Sequence, residues 1–277
     1  MQRALFALTL VLVLVAARPI SAASVDGIPI HSSSAGTGPT LVFVHGWTCD
    51  STSWAAQVPA FDKKYRVITL DLPGHGKSGS PKDGKFSMDL FARAVEAVRV
   101  EANAQRIVLI GHSMGAPVIR QYAHLYPDRV AGLVAVDGPL DMRGFAMQTA
   151  AGQGPPPVTG PDGLKNRETM IRSMFTPNTP EPVQKSVLAM MLAPPETTAA
   201  GAMASVLDPS IRWTDPIRAP AFAIYAGTSR LPDLDKVREV LPDFSATQIA
   251  GTGHFVMMEK PDEFDRALGG FLDKIKF

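Results

Sequence analysis

Short apolar runs alternate with amphipathic stretches along most of this chain. Residues 41–44, 107–110 and 130–136 are almost wholly apolar and predict buried strands, because both faces of a covered strand need apolar side chains. Residues 88–100 carry apolar side chains at helical spacing, and residues 27–31 are typical of an opening edge strand. The alternation predicts an α/β fold, with a mostly parallel central sheet and helices on both of its faces.

The alternation changes over residues 139–215, where a turn-rich stretch precedes three helical patterns. The strand pattern returns near residue 221, so we expect a helical cap inserted between two parts of one core, 23–138 and 216–277. Methionine suits either a flexible lid over an apolar pocket or packing within the cap itself. Seven of the twelve methionines lie in this insertion: Met142, Met147, Met170, Met174, Met190, Met191 and Met203.

The first residues have the composition of a targeting segment. Arg3 precedes an uncharged apolar run over 4–17, and small residues follow at Ala22 and Ala23. The run is short for a membrane span, so we expect a signal peptide over residues 1–22, with cleavage and no stable membrane anchor afterwards. The protein is then exported, either periplasmic or secreted.

Charge and cysteine usage narrow the possible partners. The net charge is +1, and removal of residues 1–22 with Arg3 and Arg18 changes it to about −1. This balance does not favour nucleic acid or an anionic membrane surface as a partner. Cys49 is the single cysteine, so we expect no internal disulfide. The sequence has no metal-ligand spacing, and we expect neither a metal nor a cofactor. The expected partner is a small-molecule substrate. The sequence does not determine the oligomeric state.

A serine lies at the junction of a predicted strand and a predicted helix. Ser113 occupies the centre of a G-x-S-x-G pattern, with Gly111 and Gly115 on either side. In this context the pattern predicts a sharp turn that exposes the serine hydroxyl at the carboxyl edge of the sheet, beside a helix N-terminus. Such a position favours nucleophilic attack.

Polar residues follow four of the predicted strands. These residues are His45, Asp71, Ser113 and Asp137. The carboxyl ends of parallel strands meet at one edge of a sheet, where α/β proteins bind their ligands. The pattern therefore indicates an active site at this edge.

A serine hydroxyl needs a base to act as a nucleophile near neutral pH. His254 is the favoured base, because it lies in a glycine-containing loop after the last predicted strand, in the order serine, acid, histidine. The other histidines are expected to be structural or at the surface: His31, His45, His75, His112 and His124.

Taken together, these motifs resemble those of the α/β-hydrolase-fold serine hydrolases. The resemblance extends from about Gly27 to Phe277 and is nearest to the cap-bearing esterases, cofactor-free haloperoxidases and C–C hydrolases. The motifs that carry it are His45-Gly46-Trp47, Asp71-Leu-Pro-Gly-His-Gly-Lys-Ser78, Gly111-His-Ser-Met-Gly115 and Gly253-His254-Phe255 with Glu259-x-Pro261.

The resemblance implies a role for each of these motifs. Ser113 corresponds to the nucleophile, and His254 corresponds to the general base and acid. The backbone N–H groups of Trp47 and Met114 correspond to an oxyanion hole, where one well-placed donor lowers the barrier by roughly 3 kcal/mol.

The acid of the triad departs from the common pattern. Relatives usually carry it a few residues after the strand that follows the cap, and Arg230 occupies that position here. Asp137, after the strand that follows the Ser113 unit, and Asp233 are the alternatives. Some cap-bearing relatives, notably certain haloalkane dehalogenases, carry the acid at the position of Asp137, and since the usual position is empty here, the resemblance favours Asp137. Asp233 also suits the N-terminus of a helix.

The nucleophile limits the reaction. Epoxide hydrolases and dehalogenases of this fold use an aspartate at the position of Ser113, whereas a serine forms an acyl-enzyme. We therefore expect hydrolysis of carboxylic esters of small to medium apolar substrates. Hydrolysis of a thioester or a C–C bond by the same residues is an alternative, as is a non-catalytic relative that binds a ligand.

Overall fold

A seven-stranded β-sheet lies at the centre of the structure, a computed structural model that describes residues 23–143, 157–211 and 213–277. Its strands are β3 (Ser32–Ala35), β4 (Thr40–Val44), β5 (Arg66–Leu70), β6 (Ile107–His112), β7 (Val130–Val136), β8 (Ala221–Ala226) and β9 (Phe244–Ile249). The spatial order is β3-β5-β4-β6-β7-β8-β9, and all neighbouring pairs except β3 with β5 are parallel. The mostly parallel sheet predicted from the alternating pattern is confirmed.

Helices connect most of the parallel strands. In the described part of the chain, the helices between strands are α1 (Gln57–Phe61), α2 (Met88–Glu101), α3 (Gly115–Leu125), α4 (Gly163–Arg172), α5 (Glu181–Leu192), α6 (Glu196–Leu207) and α7 (Leu234–Arg238). Helices α8 (Val256–Glu259) and α9 (Pro261–Leu272) follow the last strand. Within the described ranges, none of the helices has both the length and the apolar composition needed to cross a bilayer.

The central strands are covered on both faces. Every residue of β4, β6 and β7 is buried, although successive side chains of a strand point to opposite faces. Helix α3 packs against these strands and against α2, while α9 packs against β8, β9 and α1. This burial explains why the three strands have nearly continuous apolar sequences rather than alternating ones.

Helices α4, α5 and α6 lie between β7 and β8, in the segment where the sequence predicts a cap. Residues 144–156 and Arg212 of that segment lie outside the described residues, and so does Met147. Met142, Met190 and Met191 are buried in the hydrophobic core, and the other three methionines are partly buried against it. These methionines therefore contribute packing between the helical segment and the rest of the chain.

The expectation that residues 27–31 form the opening edge strand of the sheet is wrong. A separate two-stranded hairpin pairs β1 (Ser24–Val25) with β2 (Ile28–Pro29). Asp26 and Gly27 have φ values of 51° and 76°, which suit a two-residue hairpin turn. The edge strand of the large sheet is β3, whose mostly polar sequence gives no apolar signal. Backbone pairing with β5 places it there.

Candidate active site

Ser113 lies at the apex of a tight turn between β6 and α3. Its φ is 52°, in the left-handed region, and its N–H donates to the carbonyl oxygen of Val136 over 2.9 Å. A Cβ on Gly111 would lie 2.3 Å from the carbonyl oxygen of Gly115, and one on Gly115 would lie 2.5 Å from that of Val44. Neither glycine can be replaced without moving backbone, so close packing of the helix against the strands requires both.

Asp137 and His254 lie together at the carboxyl edge of the sheet. His254 Nδ1 and Asp137 Oδ2 are 2.6 Å apart, although 117 residues separate them in the chain. The side chain of Asp137 is 6% exposed and that of His254 is 21% exposed. The nearly buried carboxylate therefore fixes the tautomer and the orientation of an imidazole that remains partly accessible.

The other oxygen of Asp137 also accepts hydrogen bonds. The Ala226 N–H donates to Asp137 Oδ1 over 2.9 Å, and Ser229 Oγ donates to the same atom over 2.6 Å. Burial by itself raises the pKa of a carboxyl group, but the hydrogen bonds from His254, Ser229 and Ala226 outweigh it and lower the pKa of Asp137. Asp137 is therefore ionised near neutral pH.

The loop that carries His254 is attached to the helical segment between β7 and β8. The His254 N–H donates to the carbonyl oxygen of Met174 over 3.0 Å. The Glu259 carboxylate accepts from the N–H groups of Gly253 and Phe255 and from the Thr179 hydroxyl, over 2.9, 3.2 and 2.9 Å. These contacts hold the histidine through its backbone, independently of Asp137.

His112 connects the serine turn to the His254 loop. Its Nε2 donates to the carbonyl oxygen of His254 over 2.9 Å, and the two ring centroids are 4.8 Å apart. Burial and the neighbouring His254 lower the pKa of His112 to about 3, so its ring is neutral near pH 7. His112 is thus a neutral structural neighbour of His254.

The loop after β4 approaches the serine turn closely. A Cβ on Gly46 would lie 3.1 Å from Ser113 Cβ, and Trp47 follows directly. Among the described residues, neither the Trp47 nor the Met114 backbone N–H donates to a carbonyl group in the turns and loops. The Trp47 indole Nε1 donates to the Ala199 carbonyl oxygen over 2.8 Å and so connects this loop to α6.

His45 and Asp71 are two further residues of the predicted edge, and both stabilise loops. His45 is fully buried, and its two ring nitrogens bond the Gly46 carbonyl oxygen and the Leu72 N–H. Asp71 accepts from the N–H groups of Ser51 and Lys77 over 2.7 and 2.9 Å. The structure therefore places Ser113, Asp137 and His254 at the carboxyl edge of the sheet, with Asp137 and His254 in contact, whereas His45 and Asp71 support loops.

Asp233, the alternative acid, lies elsewhere. It is the N-cap of α7, where its Oδ1 accepts from the Asp235 N–H over 3.1 Å. The turn after β8, Gly227-Thr-Ser-Arg230, contains no acidic residue, so it presents no carboxylate to His254. Sequence reasoning missed Ser229, because nothing in a Gly-Thr-Ser turn indicates that its hydroxyl faces Asp137.

The described residues contain no cluster of histidine, cysteine and acidic side chains that could hold a metal ion. Cys49 is buried, and burial raises the pKa of its thiol, so this residue is a packed apolar group rather than a nucleophile.

Residues 39–158 match a family model described as alpha/beta hydrolase fold. A putative esterase/lipase of Haemophilus influenzae is 28% identical, over 85% of this chain and 84% of its own length. Epoxide hydrolase B of Mycobacterium tuberculosis is 35% identical, but over only 39% of this chain and 31% of that protein. The structure of a thermophilic esterase from Thermogutta terrifontis aligns with a TM-score of 0.74 at 24% identity, covering 92% of this chain and 97% of that one.

We expect His75 to make the stability depend on pH. Burial, together with the nearby His45, lowers the pKa of His75 to about 3, against about 6.5 in an unfolded chain. Between these values the unfolded state binds one more proton, so this group makes the free energy of unfolding rise with pH by about 1.4 kcal/mol per pH unit. In urea denaturation between pH 4 and 6, His75→Gln should show a shallower slope than the wild type. Equal slopes would contradict the argument.

Proposed function

We propose that this chain, which has the α/β-hydrolase fold, is a hydrolase that cleaves carboxylic esters of small to medium apolar substrates through an acyl-enzyme on Ser113. The observation that carries the proposal is the 2.6 Å contact between His254 and Asp137, at the same edge of the sheet as the Ser113 turn. A histidine oriented in this way is the base that a serine nucleophile requires.

The chemistry uses the three side chains in sequence. Ser113 Oγ attacks the ester carbonyl carbon as His254 Nε2 takes the hydroxyl proton, and Asp137 stabilises the resulting imidazolium. The tetrahedral oxyanion accepts hydrogen bonds from the N–H groups of Trp47 and Met114. His254 then donates its proton to the departing alkoxide, which leaves as the alcohol, and the acyl group remains on Ser113. Water, activated by His254, releases the acid and restores the enzyme.

Serine at the apex of the turn favours an acyl substrate over an epoxide. Attack on an ester carbonyl produces an acyl-enzyme that water hydrolyses, and the tetrahedral intermediate on the way to it is the species that oxyanion donors stabilise.

A fluorophosphonate probe tests the proposal directly. We expect it to label wild-type protein at Ser113 and to leave Ser113→Ala unlabelled, because the probe reacts with an activated serine hydroxyl. The wild type should also hydrolyse 4-nitrophenyl esters, measured over a series of rising acyl chain length. Neither labelling nor ester turnover in the folded wild type would overturn the proposal and favour a ligand-binding protein.

Matched substitutions at the two candidate acids test the role of Asp137. Asp137→Asn should lower kcat by about three orders of magnitude, since an amide fixes the wrong histidine tautomer. Asp233→Asn should leave kcat within about twofold, because asparagine also caps a helix N-terminus. Steady-state kinetics with one 4-nitrophenyl ester measures both variants. A loss confined to Asp233→Asn would reverse the assignment.

The composition of residues 1–22 supports the further proposal that the protein is exported after cleavage of a signal peptide. Expression of the full chain in a bacterial host, followed by cell fractionation and N-terminal sequencing, measures where the protein accumulates and at which residue it begins. We expect a periplasmic or secreted product that begins at residue 23 or 24. A product that stays in the cytoplasm with residues 1–22 attached would contradict it.

A further inference from the structure

The turn that follows β8 holds one oxygen of the Asp137 carboxylate. Ser229 Oγ and the Ala226 N–H both donate to Asp137 Oδ1, over 2.6 and 2.9 Å. The other oxygen, Oδ2, is 2.6 Å from His254 Nδ1. The two carboxylate oxygens therefore have separate partners, and rotation of the carboxylate would break hydrogen bonds on both sides.

We propose that Ser229 is a positioning residue for ester hydrolysis: its hydroxyl fixes the rotation of the Asp137 carboxylate so that Oδ2 faces His254. The inference rests on the proposed function. A carboxylate turns about its Cβ–Cγ bond, and a strong donor on one oxygen selects the rotation that presents the other oxygen to the imidazole.

The Ser229 hydroxyl is itself held by a rigid turn. The Ser229 N–H donates to the Ala226 carbonyl oxygen over 3.1 Å. Gln248 Nε2, on β9, donates to the carbonyl oxygens of Ala226 and Ser229, each over 2.8 Å. These bonds place the hydroxyl before substrate arrives, so little reorganisation accompanies the reaction.

The same turn contacts the segment that leads into His254. The Gly227 N–H donates to Thr252 Oγ1 over 3.1 Å, and a Cβ on Gly227 would lie 2.6 Å from the Gly251 nitrogen. One turn therefore aligns the carboxylate through Ser229 and supports the histidine loop through Gly227. In this chain the turn after β8 supplies a donor to the acid rather than the acid itself.

The test compares Ser229→Ala with Ser245→Ala, a matched change at an exposed serine of β9. We expect Ser229→Ala to lower kcat roughly tenfold with KM within about twofold, because the hydroxyl affects the base and not substrate binding. Ser229→Thr, which keeps a hydroxyl, should retain most of the wild-type kcat, and Ser245→Ala should equal the wild type. Wild-type kcat in Ser229→Ala, or equal loss in Ser229→Thr and Ser229→Ala, would overturn the proposal.

A spectroscopic measurement separates this inference from the proposed function. The proton on His254 Nδ1, assigned by its absence in His254→Gln, should shift in the NMR spectrum of Ser229→Ala and stay unchanged in Ser245→Ala. An unchanged resonance in Ser229→Ala overturns the role of Ser229 even if no ester is a substrate. If Ser229→Ala does not fold, Gln248→Ala replaces it, because this change at an exposed position removes hydrogen bonds to the turn. Gln248→Ala should shift the His254 Nδ1 proton resonance. An unchanged resonance in Gln248→Ala would overturn the proposal.

Discussion

The site depends on the hydrogen bonding of one buried carboxylate. Removing an ionised carboxyl group from water is costly unless its oxygens find donors, and Asp137 finds them in His254, Ser229 and the Ala226 N–H. The donors come from the loop after β9, the turn after β8 and the end of β8 itself. The hydrogen bonds to Asp137 therefore fix the relative positions of the end of β7, the turn after β8 and the loop after β9.

The serine turn adds a second constraint of a different kind. It depends on close packing, because the space beside Gly111 and Gly115 is filled by backbone atoms. His112 then connects this turn to the His254 loop through one hydrogen bond to a carbonyl oxygen. Packing positions Ser113, hydrogen bonding positions its proposed base, and His112 connects the two.

The helical segment between β7 and β8 is joined to both halves. Trp47 bonds the Ala199 carbonyl oxygen of α6, while Met174 and Thr179 bond the His254 loop and Glu259. Contacts of this kind couple the position of the segment to the geometry of the site. They involve backbone carbonyl groups and one threonine, which no sequence pattern distinguishes from ordinary loop residues.

The sequence by itself determined the class of fold and the serine turn, and it predicted His254 as the base. Apolar runs, a strand-turn-helix context and a glycine-containing loop are local features, and each can be interpreted from a few neighbouring residues. The sequence left Asp137 and Asp233 as alternatives, misplaced the edge strand and did not indicate Ser229. Only the tertiary structure placed Asp137 against His254 and Ser229, and β3 against β5, because a polar β3 is positioned by pairing and the partners of Asp137 come from residues about 90 and 117 positions away. Hydrogen bonds between distant segments leave no periodic pattern in a sequence, whereas the burial of strands and helices does.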